Sequence, residues 1–310
     1  MKKILIIGAG GVGGYLGARM AEVGLDVSFL VRGKRLEQLR SNGLVYESVH
    51  GGGQVNVNTV TKDDDLTIFD FIVVATKAYH LNDDLIELLK KASNGSNYVI
   101  PFLNGLSHMD LLESVFGRSR TMGGLCRIAT TLTDDGTVKH LNDAHEYVIG
   151  GRTPESANAA AQLVEAMKEA KIIMKTTDDV DYSMWEKAYS LSVLAAATCL
   201  MRAPLGCINS SVGGRQFIEQ LTKEAASIAS AYGYTPKTAF YKAVLQQQTD
   251  QSSALTASML RDLEAGGQIE NDHIIGDLYY KGCAAGLDLP LFGLAKIHLE
   301  AYELRKARHQ

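Results

Sequence analysis

A chain of 310 residues has room for about two domains of ordinary size. Hydrophobic residues make up 46% and charged residues 21%, which excludes a disordered chain. The formal net charge is −4 and there is no long run of Lys or Arg, so the electrostatic footprint of a nucleic-acid binder is missing.

The N-terminal Met1-Lys2-Lys3 followed by an apolar run imitates a secretory signal, but five glycines and then Arg19 and Glu22 break it. A buried strand entering a glycine turn explains the pattern better. Ile4–Ile7 is that strand, apolar throughout as expected when both faces are covered. Tyr15–Val23 has helical spacing, and Val27–Val31 is a second β-run. Arg35–Ser41 reads as a helix ending at Asn42-Gly43. A third strand, Phe71–Ala75, lies within Thr67–Ala75. The amphipathic helix Leu81–Ala92 and the strand Tyr98–Phe102 follow it. Later strands are expected at Thr137–Leu141, Tyr147–Gly150 and Lys171–Thr176, with a helix over Pro154–Ala170. Strands alternating with helices predict an α/β fold, a Rossmann-type doubly wound and mostly parallel sheet, over residues 1–178.

From residue 179 to 310 the pattern is all-α. Helices are expected at Val180–Met201, Ser211–Tyr232, Thr235–Gln248, Ser252–Ala265, Ile269–Gly286 and Gly293–Arg308. Ala188–Met201 carries no charge, yet at about 1.5 Å per residue it is too short for a bilayer core of roughly 30 Å and reads as a core helix. Cys126, Cys199, Cys207 and Cys283 are scattered without a C-x-x-C pair. They suit neither a disulfide scaffold nor zinc, and read as reduced thiols of a cytoplasmic protein with no membrane segment.

Gly8-Ala9-Gly10-Gly11-Val12-Gly13 fits G-x-G-x-x-G directly after a strand and at the start of a helix, the context that turns a weak pattern into a dinucleotide loop. Gly8 makes the turn, Gly10 admits the pyrophosphate, Gly13 brings helix onto strand, and Gly11 and Val12 supply helix N-terminal amides. The competing reading is a plain glycine turn. NAD enzymes of this fold place Asp or Glu at the end of the second strand. Here that strand ends Leu30-Val31-Arg32-Gly33-Lys34-Arg35, and Arg32 sits where a 2′-phosphate would lie, which points to NADPH; the competing reading is a solvated arginine in a turn.

Thr76-Lys77 and Asn104-Gly105 follow the third and fourth strands, at carboxyl ends where ligands bind in open sheets. Local sequence alone favours an ordinary turn at Asn104-Gly105, and the competing reading of Lys77 is a surface lysine. Lys187, in Trp185-Glu186-Lys187, is the last charge before a long apolar stretch. It is either a proton-transfer group at a desolvated wall or a snorkelling lysine. Glu270 belongs to a predicted helix with Asp272, His273 and Asp277, for which a solvated face is the default reading; Glu270 and His273 stand at i, i+3, but no second such pair exists, so no metal site is expected. His50-Gly51-Gly52-Gly53 matches an esterase oxyanion loop, but no G-x-S-x-G elbow accompanies it.

Taken in order, Gly8–Gly13, Val31-Arg32-Gly33, Thr76-Lys77, Asn104-Gly105, Trp185-Glu186-Lys187, Ser258-Met259 and Glu270-Asn271-Asp272 resemble the ketopantoate reductase (2-dehydropantoate 2-reductase) family of pantothenate biosynthesis over nearly the whole chain. The resemblance implies a Rossmann domain followed by a helical domain with the site between them, and reduction of a 2-oxo acid with NADPH. By that analogy Lys187 is the general acid, Glu270 binds the reacting oxygen, Ser258 meets the substrate carboxylate, and Lys77 and Asn104 position cofactor and substrate. One departure stands out: Leu191, Ala195 and Leu205 occupy positions where the family has asparagines, while Ser190 and Thr198 are hydroxyls left nearby. Rival readings are an opine-type or imine reductase, or an NADPH-binding redox sensor without catalysis. A small-molecule 2-oxo acid is the expected partner, and a homodimer is the assembly to test.

Overall fold

A computed structural model describes residues 2–308. In chain order the first elements are β1 (Lys3–Ile7), α1 (Gly11–Glu22), β2 (Asp26–Leu30), α2 (Gly33–Asn42), β3 (Leu44–Glu47), β4 (Gly53–Val55), β5 (Asn58–Val60) and β6 (Phe71–Val74). Then come α3 (Asp83–Ala92), β7 (Tyr98–Pro101), α4 (His108–Phe116), β8 (Gly123–Leu132), β9 (Val138–Gly150), α5 (Pro154–Ala166) and β10 (Ile173–Thr176). The rest is helical: α6 (Val180–Met201), α7 (Leu205–Ser210), α8 (Gly214–Ala231), α9 (Thr238–Gln248), α10 (Ser258–Glu264), α11 (Asp277–Ala284) and α12 (Pro290–Ala307). The chain folds as two compact units. The first holds the residues up to Leu103 and His108–Ser183; the second holds Asn104–Ser107 and the chain from Met184 on.

In the first unit β5-β2-β1-β6-β7 form a parallel sheet. Its strands are apolar without alternation because both faces are covered. Ile4, Ile6, Phe29 and Val73 pack with Tyr15, Leu16 and Met20 of α1. Leu5, Ile7, Ile72 and Val74 pack with Ile86 and Leu89 of α3 and Leu112 and Phe116 of α4. Each such side chain contributes about 1.5–3 kcal/mol on full burial. The register aligns Ile7 with Leu30 and with Val74, and Val74 with Pro101. The carboxyl ends of four strands therefore lie in one row, which is where the phosphate loop, Arg32 and Thr76-Lys77 begin.

A second sheet, β10-β9-β3-β4 with β8 antiparallel to β9, shares the core cluster that α1 closes. The first sheet is the parallel, doubly wound sheet expected, and this second sheet, which takes the later predicted strands, is an addition to it. The two short strands predicted around Thr137–Leu141 and Tyr147–Gly150 are one continuous β9, and its partner β8 was not expected at all. Arg152 joins the end of this sheet to α4 and α6. Its Nε donates to Asp181 at 2.9 Å, and its guanidinium also pairs with Glu113.

In the second unit, among the described residues, no strand occurs. The structure breaks the predicted helix Ser252–Ala265: residue 252 lies in a turn, 253–257 have no regular structure, and α10 begins at Ser258. The cause is tertiary. The Leu205 and Gly206 amides donate to the Leu255 and Ser253 carbonyls, and the Ala257 amide donates to Thr198 Oγ1. Those bonds outweigh local helix preference. No helix among the described residues is long and apolar enough to cross a membrane.

Candidate active site

The sheet unit carries the groups predicted to hold a dinucleotide. Gly8 has φ +108°, and a Cβ there would lie 2.6 Å from the Ala75 carbonyl carbon, so only glycine lets β1 turn this close to β6. At Gly13 an added Cβ would strike the Gly8 carbonyl oxygen, while at Gly10 nothing lies within 4 Å, leaving that side of the loop open. Helix α1 starts at Gly11 with no side-chain cap and no acidic residue in its first turn. Its N-terminal amides and dipole therefore suit an anion. Beside the loop, the Thr76 hydroxyl is buried without a hydrogen-bond partner. An open glycine cradle, an uncapped helix start and an orphan hydroxyl together fit a bound pyrophosphate.

Arg32 is the N-cap residue of α2, exposed, with no acidic residue in the following turn. Its neighbours are engaged elsewhere. Lys34 Nζ donates to the Asp134 carbonyl at 2.9 Å. Arg35 donates from Nε to the Ala9 carbonyl at 3.0 Å and from a terminal nitrogen to the Gly136 carbonyl at 2.7 Å. The Arg32 carbonyl accepts from the Leu36 amide, but its guanidinium has no hydrogen-bond or ion-pair partner among the described residues, which leaves it available for a phosphate. The sequence reading did not single out Arg35, which ties the phosphate loop to the β8–β9 turn. Its place as the third cation in Arg32-Gly33-Lys34-Arg35 was the available signal.

In the helical unit Lys187 stands in the second turn of α6, half-buried. Two residues earlier the buried Trp185 stacks on Tyr232 and Tyr234 at ring distances of 5.5 and 5.1 Å, which fixes the rotation of this turn. Lys187 Nζ donates to Asn104 Oδ1 at 3.0 Å. Asn104 belongs to the short segment that joins this unit, so the two predicted groups, far apart in sequence, meet. Glu270 is buried, not on the solvated face its charged neighbours suggest, because it lies just before the helix rather than on its outer face, and it precedes a wide five-residue turn, Asp272–Gly276. Such π turns recur at functional sites. Ser258 is half-buried in the first turn of α10. Lys77 is half-buried just after β6, in the sheet unit with the phosphate loop.

The departures in the predicted substrate stripe also have places. Leu191 is half-buried on α6, whereas Ala195 and Leu205 are completely buried. The nearby hydroxyls do not replace the missing amides as donors. Ser190 Oγ donates to the Lys187 carbonyl at 3.1 Å, and Thr198 Oγ1 donates to the Leu194 carbonyl at 2.7 Å.

Two family models match the chain: Ketopantoate reductase PanE/ApbA over residues 4–153 and Ketopantoate reductase PanE/ApbA C terminal over residues 179–301. The uncharacterized oxidoreductase YkpB of Bacillus subtilis (strain 168) is 33% identical over 304 residues, covering 98% of this chain and 100% of the relative. A 2-dehydropantoate 2-reductase of Archaeoglobus fulgidus is 24% identical, covering 93% of each chain. Among solved structures, a D-mandelate dehydrogenase in ternary complex with NADH and anilino(oxo)acetate superimposes with a TM-score of 0.87 at 19% identity, covering 98% of this chain and 99% of that one.

Proposed function

Because this chain belongs to the ketopantoate reductase PanE/ApbA family of oxidoreductases, we propose that it reduces a 2-oxo acid to the 2-hydroxy acid with NADPH. The observation that carries this reading is the 3.0 Å bond from Lys187 Nζ to Asn104 Oδ1, in the same unit as the buried Glu270 and the half-buried Ser258. A lysine held by a side-chain amide next to an apolar helix is a positioned proton donor, and cofactor binding alone needs no such pair.

The roles divide between the units. The α1 amides and the Gly8–Gly13 loop take the pyrophosphate, Arg32 takes the 2′-phosphate, and Lys77 steadies the cofactor. When bound, NADPH supplies the hydride that adds to the carbonyl carbon. Lys187 gives its proton to the carbonyl oxygen as negative charge develops there. Asn104 holds Nζ in place and contacts the substrate, Glu270 binds the reacting oxygen by accepting from the hydroxyl that forms there, and the Ser258 hydroxyl donates to the carboxylate.

The substrate of this reading carries an apolar side chain. Leu191, Ala195 and Leu205 offer no hydrogen bond, and the Ser190 and Thr198 hydroxyl protons are used within α6. A D-mandelate dehydrogenase shares the fold, in keeping with a 2-oxo acid other than ketopantoate. A screen of 2-oxo acids, with and without added amine, followed by NADPH absorbance, tests the proposal. Steady oxidation without amine supports it. Turnover only with amine would replace it with an imine reductase, and binding without turnover would leave a sensor.

A further inference from the structure

The segment Asn104–Ser107 comes from the end of β7 yet packs as part of the helical unit. Two contacts with one residue, His273, hold it there. Gly105 has φ +80°, and a Cβ on it would overlap the His273 carbonyl oxygen, so backbone lies directly on backbone. Two residues on, Ser107 Oγ and His273 Nδ1 form a 2.9 Å hydrogen bond. His273 lies in the wide turn that follows Glu270, and the Ile274 amide of that turn donates to the Glu270 carbonyl at 3.0 Å. An unbroken chain of contacts therefore runs from the Glu270 turn through His273 and Ser107 to Asn104, and from Asn104 to Lys187 Nζ.

We propose that Ser107 and His273 form a latch that sets the position of Asn104 on Lys187, making both positioning residues for proton transfer. The proposal rests on the reading of Lys187 as the proton donor. A four-residue excursion with a glycine at positive φ has little stiffness of its own. Anchored at Gly105 alone, it could still rotate about that point, and the side-chain bond two residues later removes this freedom. The amide oxygen is then fixed to well within the distance over which misplacement costs rate. Because a serine hydroxyl both donates and accepts, the bond persists whichever tautomer or charge the imidazole carries. The latch is thus a geometric device and not a pH switch.

The test compares His273→Phe, which keeps a ring without nitrogens, Ser107→Ala, and the restoring Ser107→Thr, each alone and combined with Asn104→Ala. Turnover at saturating NADPH and 2-oxo acid is measured with NADPH affinity and melting temperature. His273→Phe and Ser107→Ala are each expected to lower kcat about tenfold, or 1.4 kcal/mol. NADPH affinity should change less than twofold or so, the double Ser107→Ala/His273→Phe variant should be no worse than either single one, and Ser107→Thr should recover most of the loss. In the Asn104→Ala background neither change should lower kcat further. If both variants keep wild-type kcat while Lys187→Ala and Asn104→Ala lose it, the latch is wrong and the catalytic reading survives. If the losses persist undiminished in the Asn104→Ala background and follow melting temperature, the role is merely structural and the proposal fails. Full turnover in Lys187→Ala would overturn both.

Discussion

Lys187 Nζ donates a 3.0 Å hydrogen bond to Asn104 Oδ1 across 83 residues of sequence. The bond gives the lysine a fixed acceptor, so its ammonium has a defined place rather than a long tether's freedom. Lys187→Ala should therefore lower turnover by about 10²–10⁴-fold while NADPH binding stays nearly intact, as expected for loss of a general acid. A few-fold drop at saturating substrate would remove Lys187 from that role.

Arg32 is the cation of its cluster without a partner among the described residues, since Lys34 and Arg35 bind backbone carbonyls. Losing charge-assisted bonds of about 1.5–3 kcal/mol in Arg32→Ala should weaken NADPH roughly ten- to a hundredfold and leave NADH almost unchanged. Titration of both cofactors by fluorescence decides it. Equal weakening of the two would mean that Arg32 does not read the 2′-phosphate.

Gly8 tests the loop itself. Alanine there meets both a positive φ and the Ala75 carbonyl at 2.6 Å. A strained non-glycine residue in this region costs of order 1–3 kcal/mol before any clash. Gly8→Ala should weaken NADPH and NADH together, the opposite selectivity pattern from Arg32→Ala. Unchanged affinity for both would place the dinucleotide elsewhere.

Stability has its own test, independent of function. The Arg152 side chain is 6% exposed and pairs with Asp181 and Glu113. Arg118 also pairs with both carboxylates, at 3.6 Å to Glu113 and 3.2 Å to Asp181, so neither is left alone when Arg152 is removed. Arg152→Ala should still destabilise the protein by about 2 kcal/mol in denaturant titration, less than the loss of a fully buried pair. A loss below about 1 kcal/mol would show that the pairs behave as exposed ones.

Much of this was legible in the residues. The apolar strands β1 and β6 announced themselves by burial on both faces, and the glycine loop by its place between strand and helix. The β8–β9 pair was not. Asn142, Asp143, Ala144 and His145 interrupt β9 with exposed or half-exposed residues that read as a turn, although the strand runs through them. The irregular stretch before Ser258 was missed because its amide and hydroxyl partners, Thr198, Leu205 and Gly206, lie some 50 residues earlier in the chain. Local pattern cannot show such a bond. For the same reason Asn104-Gly105 looked like an ordinary turn: its distinguishing neighbours, Lys187 and His273, come from distant helices. The Ser107–His273 hydrogen bond could not be read locally at all.

The substrate pocket makes a separate prediction. Each buried hydroxyl left without a partner costs roughly 1–3 kcal/mol. With Leu191 the half-buried one of the three and Ala195 and Leu205 completely buried, ketopantoate should be used with a kcat/KM at least about tenfold below that of an apolar 2-oxo acid of equal size, since one lost bond of about 1.4 kcal/mol is tenfold. Ketopantoate preferred by a hundredfold would show that those three positions do not set specificity.

The most direct measurement is NADPH absorbance on mixing the wild-type protein and the Lys187→Ala variant with apolar 2-oxo acids, after both are shown to bind NADPH. Reduction of the 2-oxo acid with Lys187 as acid predicts steady NADPH loss, one equivalent per 2-hydroxy acid formed, in the wild type and little in the variant. Tight NADPH binding with no oxidation by any 2-oxo acid, or equal oxidation by both proteins, would contradict it.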